Sequence, residues 1–111
     1  IDDADYAGKL AEKLIHGKHY GMSKTRWEMQ SRGLDKNLIE DILAEYTDDE
    51  IDEEIMRLLR TKYAEKLSDP DDRRRTVAAL ARRGYSYGAV KRCIEAALAD
   101  EEDFDPDEFE E

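Results

Sequence analysis

Residues 30–39, QSRGLDKNLI, and residues 81–90, ARRGYSYGAV, share one pattern. In each copy Arg-Gly is followed by an apolar residue and then by a residue that can cap a helix, and the copies stand 51 positions apart. Glycine adopts the left-handed backbone conformation that ends many helices, because it has no Cβ atom to clash. We therefore predict that Gly33 and Gly84 each end a helix and that the same turn is built twice.

The residues after each glycine predict how the next helix starts. Asp35 in the first copy and Ser86 in the second carry side-chain oxygens that suit an N-cap. An apolar residue precedes each cap and another follows four positions into the next helix, which is the spacing of a hydrophobic staple. We predict two helix-turn-helix corners built by these residues: Gly33, Leu34 and Asp35, then Gly84, Tyr85 and Ser86.

Apolar residues recur at intervals of three and four on both sides of the corners, which indicates helices. In the first half we predict a helix to about residue 18, then helices over 24–32, capped by Ser23, and 36–46. In the second half we predict a helix from Asp48 or Asp49 to about residue 67, then helices over 71–83, with Asp69 as cap and Pro70 in the first position, and 87–98. No segment alternates with a period of two, so we predict no strand.

These helices predict an all-α fold of two tandem three-helix repeats, 1–47 and 48–99, that form an elongated, curved array. A composition of 40% hydrophobic and 42% charged residues suits thin helical layers better than a thick core. We expect the acidic tail, residues 100–111, to be disordered. Because the first residue is Ile1, we also expect the natural chain to begin before it.

Charge is segregated along the chain, whose net charge is −11. Residues 35–54 contain ten acidic residues and one basic residue, whereas residues 57–92 contain eleven basic and four acidic residues. The tail 100–111 contains nine acidic residues and no basic one. A basic block between two acidic ones favours a charged binding partner.

Patterns that would indicate an enzyme are weak. His16 and His19 have a spacing that can hold a metal, but no third ligand stands out, and we interpret them as surface histidines near a helix end. Cys93 stands at the position of Ile42 in the other copy, which favours a buried structural thiol over a nucleophile. The carboxylates lie in runs that indicate solvated faces. We therefore expect no catalytic residue, no bound metal and no cofactor.

The sequence offers no apolar run of about 18 residues and no apolar region of a secretory signal. A single cysteine permits no intramolecular disulfide, so nothing indicates an oxidising compartment. We expect a cytoplasmic protein without a membrane partner.

The basic block supplies the best candidate for a binding surface. It contains RRR at 73–75, RR at 82–83 and Lys91-Arg92 on two consecutive predicted helices. Cations at that density attract phosphates or an acidic protein surface. The alternative is a solvated helix face neutralised by nearby acids.

Two aromatic residues bear on such a surface. The tyrosines stand mostly at helix ends, where an apolar ring and a solvated hydroxyl both fit, and Tyr87 is the one free to join such a surface. Trp27 corresponds to Ala78 in the other copy, so the repeat does not require it. It fits either a core filler or an exposed anchor.

Three stretches of the chain are similar to one known family. They are IDDADYA at 1–7, HYGMSKTRWEMQSRGLDKNLIEDIL at 19–43 and RLLRTKYAEKLSDPDDRRRTVAALARRGYSYGAVKRCIEAAL at 57–98. They resemble, in order, the junction after the first repeat, the second repeat and the third repeat of the bacterial RecX family, regulators of the recombinase RecA. The resemblance covers nearly all of residues 1–98, and the last stretch is its most specific part.

The resemblance implies a cytoplasmic, monomeric, non-enzymatic regulator. Members of the family bind along the groove of the RecA–single-stranded DNA filament and inhibit strand exchange, ATP hydrolysis and the co-protease activity that triggers the SOS response. On this hypothesis the partner-binding residues are the cations of both repeats and one tyrosine: Lys24, Arg26, Arg32, Arg73, Arg74, Arg75, Arg82, Arg83, Tyr87, Lys91 and Arg92. The acidic tail and the near-neutral residues 1–34 depart from the basic character expected of the family.

A second hypothesis is a helix-turn-helix protein that binds duplex DNA directly, with residues 87–98 in a groove. Lys91 and Arg92 are the groups on that segment suited to reading bases, whereas Glu95 opposes phosphate. A subsidiary hypothesis concerns the tail 100–111. It would fold back on the basic block and compete with DNA.

Overall fold

The computed structural model describes residues 2–103, with side chains described as far as Asp100. Within this range all regular structure is helical, as predicted. The elements are α1 (Asp3–Glu12), continued by a π-helical turn (Lys13–Gly17), α2 (Met22–Ser31), α3 (Lys36–Leu43), α4 (Asp48–Thr61), a 3₁₀ turn (Ala64–Lys66), α5 (Pro70–Arg82) and α6 (Tyr87–Asp103).

The helices pack as two three-helix units. In the first unit α1 and α2 both pack against α3, and in the second α4 and α5 both pack against α6. The two units touch where α4 meets the π-helical turn. One continuous apolar cluster runs through both units, and its fully buried large side chains are Leu14, Ile15, Met29, Ile39, Leu43, Ile55, Leu59, Leu80 and Val90.

Both predicted corners are confirmed. Gly33 has φ of 82° and Gly84 has φ of 98°, so both occupy the left-handed region that favours glycine. The amide of Leu34 donates to the Met29 carbonyl at 3.3 Å, and in the second unit the Tyr85 amide donates to the Leu80 carbonyl at the same distance. Each hydrogen bond closes the end of a helix in the manner of a Schellman motif.

The predicted caps after the corners are also confirmed, and so is the start of α4 at Asp48, whereas the predicted cap Ser23 is wrong. Asp35 accepts hydrogen bonds from the next helix at 3.0 and 3.2 Å, and Ser86 accepts one at 3.2 Å. Ser23 does not cap α2, because the N-cap is Gly21 and Ser23 lies inside the helix. The N-cap of α4 is Thr47, which forms a capping box with Glu50.

Helix ends differ from the predicted ones in three places. α3 ends at Leu43, and residues 44–46 form a turn. α4 ends at Thr61, where the amide of Tyr63 donates to the Leu58 carbonyl five residues back and so closes the helix. α6 runs to Asp103, so the first residues of the predicted tail are helical. The expected disorder of the tail beyond this point concerns residues 104–111, which lie outside the described part of the chain.

Candidate partner-binding surface

The junction between the two units is built on a close approach of two glycines. The Gly21 amide donates to the Arg83 carbonyl at 2.7 Å, and the Ser23 amide donates to the Gly84 carbonyl at 3.3 Å. A Cβ atom at Gly21 would overlap the Gly84 backbone, and one at Gly84 would lie 2.5 Å from the backbone nitrogen of Lys24. The corner of the second unit therefore caps the N-terminus of α2 in the first unit, where no side-chain cap is present.

A buried carboxylate forms the second part of the junction. Glu54 on α4 is 2% exposed, and its oxygens accept hydrogen bonds from Nδ1 of His16 at 2.7 Å and Nδ1 of His19 at 2.8 Å. His19 holds this position with φ of 58°, a conformation uncommon outside glycine. Arg57 also reaches the Glu54 carboxylate, at 3.4 Å. The histidines lie near a helix end, as predicted, but they are only partly exposed and both pair with Glu54, which the interpretation as surface histidines did not include. The interpretation of a solvated face is wrong for Glu54.

The environment of Glu54 keeps it charged despite burial. Burial raises the pKa of the Glu54 carboxyl, but the hydrogen bonds from His16 and His19 outweigh this effect and the pKa lies below its ordinary value. A buried carboxylate with two ring N–H donors is a satisfied group. It therefore ties α4 of the second unit to the end of the first helix of the first unit.

Cations from both units gather beside this junction. A shallow groove is lined by Lys18, Tyr20 and Lys24 from the first unit and by Lys62, Tyr63, Ala79, Arg82 and Arg83 from the second. The Lys24 ammonium lies 4.4 Å from the centre of the Tyr20 ring, and that of Lys62 lies 5.7 Å from the centre of the Tyr63 ring. We call this the junction groove. Its lining contains five cations, two tyrosine rings and no carboxylate.

The junction groove contains three of the predicted partner-binding residues. Lys24, Arg82 and Arg83 lie there, and Arg83 also donates from Nη1 to the Lys18 carbonyl at 3.1 Å, so it supports the junction as well. Sequence analysis did not assign Lys18 and Lys62 to the site. Each stands within two residues of a tyrosine at a helix end, and that pairing of cation and ring is the signal that could have found them.

The remaining predicted cations of the first unit are engaged with other side chains. Nε of Arg26 donates to the Glu40 carboxylate at 2.6 Å, which lowers the pKa of Glu40 through that hydrogen bond. Arg32 donates to the hydroxyl of Tyr6 at 3.4 Å. Neither lines the junction groove.

The arginines of the RRR run of α5 also contact other groups of the chain. Arg73 donates from Nε to the Leu67 carbonyl at 2.9 Å and so fastens α5 to the preceding turn. Arg74 and Arg75 each pair at 3.2 Å with an acidic residue three positions earlier, Asp71 and Asp72. Such exposed pairs contribute little to stability and leave the guanidinium groups accessible to solvent.

The predicted residues on α6 lie on different sides of the helix. Arg92 donates to both oxygens of Asp52 on α4, at 3.0 and 3.1 Å, and this carboxylate raises the pKa of Arg92. Lys91 is exposed, and Tyr87 is 64% exposed as expected for a residue free to join a surface. Lys91 and Tyr87 line a second groove, between α5 and α6.

Trp27 is an exposed residue, so the core-filler alternative is excluded. Its side chain is 62% exposed on α2, whereas the equivalent Ala78 on α5 is a small residue that offers no ring there. A solvent-facing tryptophan is a residue type found at the centre of protein interfaces.

Cys93 is buried, at 3% exposure, as predicted from its position in the repeat. Burial raises the pKa of the Cys93 thiol to about 11. Such a thiol carries little thiolate at neutral pH and is correspondingly unreactive.

Metal ligands and membrane spans are both missing from the part of the chain that the structure describes. No group of three or more His, Cys, Asp or Glu residues is arranged there to hold a metal ion. No helix within the same residues combines the length and apolar character needed to cross a bilayer.

Comparison with known proteins identifies the repeats. The family model described as RecX, third three-helix domain, matches residues 48–94, which are α4, α5 and most of α6. Regulatory protein RecX of Mycobacterium ulcerans is 35% identical to this chain over 106 residues, which is 93% of this chain and 61% of that protein. Residues 48–94 are therefore a RecX three-helix domain, and the chain is similar to RecX proteins over nearly its whole length.

Other relatives give the same result. Regulatory protein RecX of Streptomyces coelicolor is 34% identical over 104 residues, covering 91% of this chain and 55% of that protein. That of Herbaspirillum seropedicae is 26% identical over 97 residues, covering 86% of this chain and 62% of that protein. No solved structure matches this chain.

The matches cover more of this chain than of its relatives. It spans about 61% of the length of the first two RecX proteins it matches. The second unit is the part that the family model describes, and the junction groove combines its Lys62, Arg82 and Arg83 with residues from the unit before it. The groove is therefore a feature of two adjacent repeats, which a single RecX domain does not contain.

Proposed function

We propose that this chain acts in a regulatory protein that binds a RecA–single-stranded DNA filament along its groove and inhibits its recombinase, ATPase and co-protease activities. The observation that supports the proposal most is the junction groove, where five cations from two repeats meet around two tyrosine rings with no carboxylate in the lining. Cations so placed neutralise phosphates, and the half-buried Tyr20 ring offers a stacking surface to an unpaired base or an arginine side chain, whereas the Tyr63 ring is buried.

The position of the groove suits a helical polymer. A surface built at the contact of two repeats has its shape fixed by the Gly21–Gly84 approach and by the Glu54 carboxylate. Repeat arrays present extended surfaces to long partners, because consecutive units hold consecutive parts of the partner. Trp27 adds an exposed aromatic anchor on the first unit for a protein contact.

The proposal is tested by charge reversal in the junction groove. The variant Lys62→Glu/Arg82→Glu changes two exposed groove residues. The matched control is Lys13→Glu/Lys36→Glu, since it makes the same charge change at exposed residues that line neither groove and are not among the predicted partner-binding residues. Preformed RecA filaments on single-stranded DNA are sedimented with each variant, and DNA-dependent ATP hydrolysis is measured across a series of salt concentrations.

We expect the groove variant to lose inhibition and co-sedimentation and the control to keep both. Removing one phosphate interaction with a single strand lowers the slope of log affinity against log salt by about 0.7, so the groove variant should bind with a slope smaller by about 1.4. Equal losses in both variants would show that net charge alone matters. Full inhibition by the groove variant would contradict the assignment of the groove.

In the alternative of direct duplex binding, Arg92 would have to exchange its pair with Asp52 for a base, which leaves Lys91 as the unpaired one of the two base-reading groups among the described residues. A band-shift assay with duplex DNA and no recombinase addresses it. Tight, sequence-selective binding there would favour the alternative over the filament proposal.

A further inference from the structure

The second groove lies between α5 and α6 and has an apolar floor with a basic rim. Half-buried Val77 and Leu98 and buried Ile94 line the floor, with the exposed ring of Tyr87 beside them. Its volume is about 320 Å³, which is enough for one or two large side chains. We call it the α5–α6 groove.

Three cations rim the α5–α6 groove. Arg73, Arg74 and Lys91 line it, against the single carboxylate of Glu95. Arg73 and Arg74 each commit one donor elsewhere, to the Leu67 carbonyl and the Asp71 carboxylate, whereas Lys91 makes no ion pair with any described side chain. The rim therefore carries excess positive charge around an apolar floor, and an acidic ligand with large apolar side chains is complementary to it.

The chain itself contains a segment of that composition directly after α6. Residues 104–111 read FDPDEFEE, with five acidic residues, two phenylalanines and one proline. We propose that this segment docks in the α5–α6 groove of its own chain, with Phe104 or Phe109 against the floor and its carboxylates against the rim.

The distances permit this arrangement. The groove follows α6 from Tyr87 to Leu98, and α6 ends at Asp103. The helical rise from Tyr87 to Asp103 is about 24 Å, and the extended segment after it reaches about 26–29 Å. A segment that turns back directly after Asp103 is therefore long enough to run along the groove as far as Tyr87. Since it is tethered, its effective concentration at the groove is of the order of millimolar, so weak contacts suffice for docking.

Docking covers four residues predicted to bind the partner: Arg73, Arg74, Tyr87 and Lys91. It leaves the junction groove open, because the two grooves share no lining residue. The segment thus acts as an internal competitor for one part of the basic block only. This inference does not depend on the recombinase proposal, and its test uses this chain alone.

The test is a nitroxide label at Glu110→Cys in the full chain, read by amide NMR. Buried Cys93 remains in place, and the unsubstituted chain shows whether it takes up label. We expect severalfold broadening at the amides of Val77 and Lys91 relative to Ile39 of the first unit. Phe104→Ala/Phe109→Ala and, separately, Lys91→Glu should each reduce this broadening, whereas the matched control Lys36→Glu, on α3 outside the α5–α6 groove, should not.

Three outcomes would overturn the proposal. Broadening that is uniform over both units would show no preferred site. Broadening that disappears on dilution would assign the groove to the tail of a second copy. Broadening that survives Lys91→Glu and the double phenylalanine variant would place the label near the groove without docking there.

Discussion

Alanine substitution of the two corner glycines tests how much the contact between the two units contributes to the free energy of unfolding. Both have positive φ, but a Cβ atom at Gly33 meets nothing within 4 Å, whereas one at Gly84 lies 2.5 Å from the Cβ and backbone nitrogen of Lys24. Gly33→Ala therefore incurs only the left-handed penalty of about 1–2 kcal/mol. Gly84→Ala incurs the same penalty and the overpacking of the junction, which adds about 1–3 kcal/mol.

The assay is urea unfolding followed by circular dichroism at 222 nm, with a thermal scan of each variant. We expect the free energy of unfolding to fall by about 1–2 kcal/mol in Gly33→Ala and by about 2–5 kcal/mol in Gly84→Ala. Each kcal/mol of difference lowers Tm by about 4–8 °C for a domain of this size. Gly8→Ala is the control, because Gly8 lies in α1 with open space around it. It should stabilise the chain by about 0.5–1 kcal/mol.

Equal destabilisation in the two corner variants would refute this reasoning, since it would mean that the approach of α2 to Gly84 carries no energy. A change in the urea m-value confined to Gly84→Ala would support it further, because units that separate at the junction no longer unfold together. The comparison is internal to one chain, and the same residue type in the same conformation is changed twice.

Three further predictions concern single side chains, each measured by urea unfolding. Glu54→Gln should lower the free energy of unfolding at pH 7 by about 1–3 kcal/mol, since it removes a charged acceptor from His16 and His19. Because the fold lowers the pKa of Glu54 from 4.5, the stabilisation by its carboxylate is present above pH 4.5 and is lost as the pH falls through the lowered pKa. The difference in unfolding free energy between the two proteins should therefore narrow from pH 6 to pH 3, and a constant difference would contradict the assignment. Tyr85→Phe should change stability by less than about 1 kcal/mol or increase it, because the buried Tyr85 hydroxyl has no hydrogen-bond partner among the described residues, and a large loss would reveal an unrecognised partner. Trp27→Ala should stay within about 0.5 kcal/mol of the unsubstituted chain, and a greater loss would show that the exposed ring packs in solution.

The fold could be predicted because its signals are local. A glycine, a cap and a staple lie within six residues of one another, and each has one preferred conformation that does not depend on distant parts of the chain. The repeat then reinforces the prediction at other positions. Thr25 and Thr76, 51 residues apart, are both buried, at 0% and 1% exposure, so equivalent positions share an environment even where sequence analysis made no prediction.

Helix ends were predicted less well, since several hydrogen-bond patterns can end a helix at neighbouring residues. The apolar stripe of α4 continues past its end to Tyr63 and Leu67, and both side chains are buried. The apolar periodicity therefore predicted a helix that continues past its true end, because the break in the helix does not interrupt the apolar stripe. The break is visible only in the hydrogen bond from the Tyr63 amide to the Leu58 carbonyl.

The candidate site could not be predicted as a whole, because it depends on where one repeat touches the other. The two corners share one local pattern, yet the Gly84 corner receives the N-terminus of α2 and the Gly33 corner has open space at its glycine. The pattern of glycine, staple and cap does not show which of the two corners will receive another helix.

That contact determines which cations meet. Because of this contact, Arg83 lies in the junction groove whereas its equivalent Arg32 does not, and Lys18 and Lys62 lie there with Arg82. A count of charges along the chain favours the densest run, 73–75, whereas in the structure the cations that concentrate without carboxylates come from four separate segments. This repeat protein thus forms its units by local rules, and its candidate binding surface depends on the contact between repeats, which those rules leave undetermined.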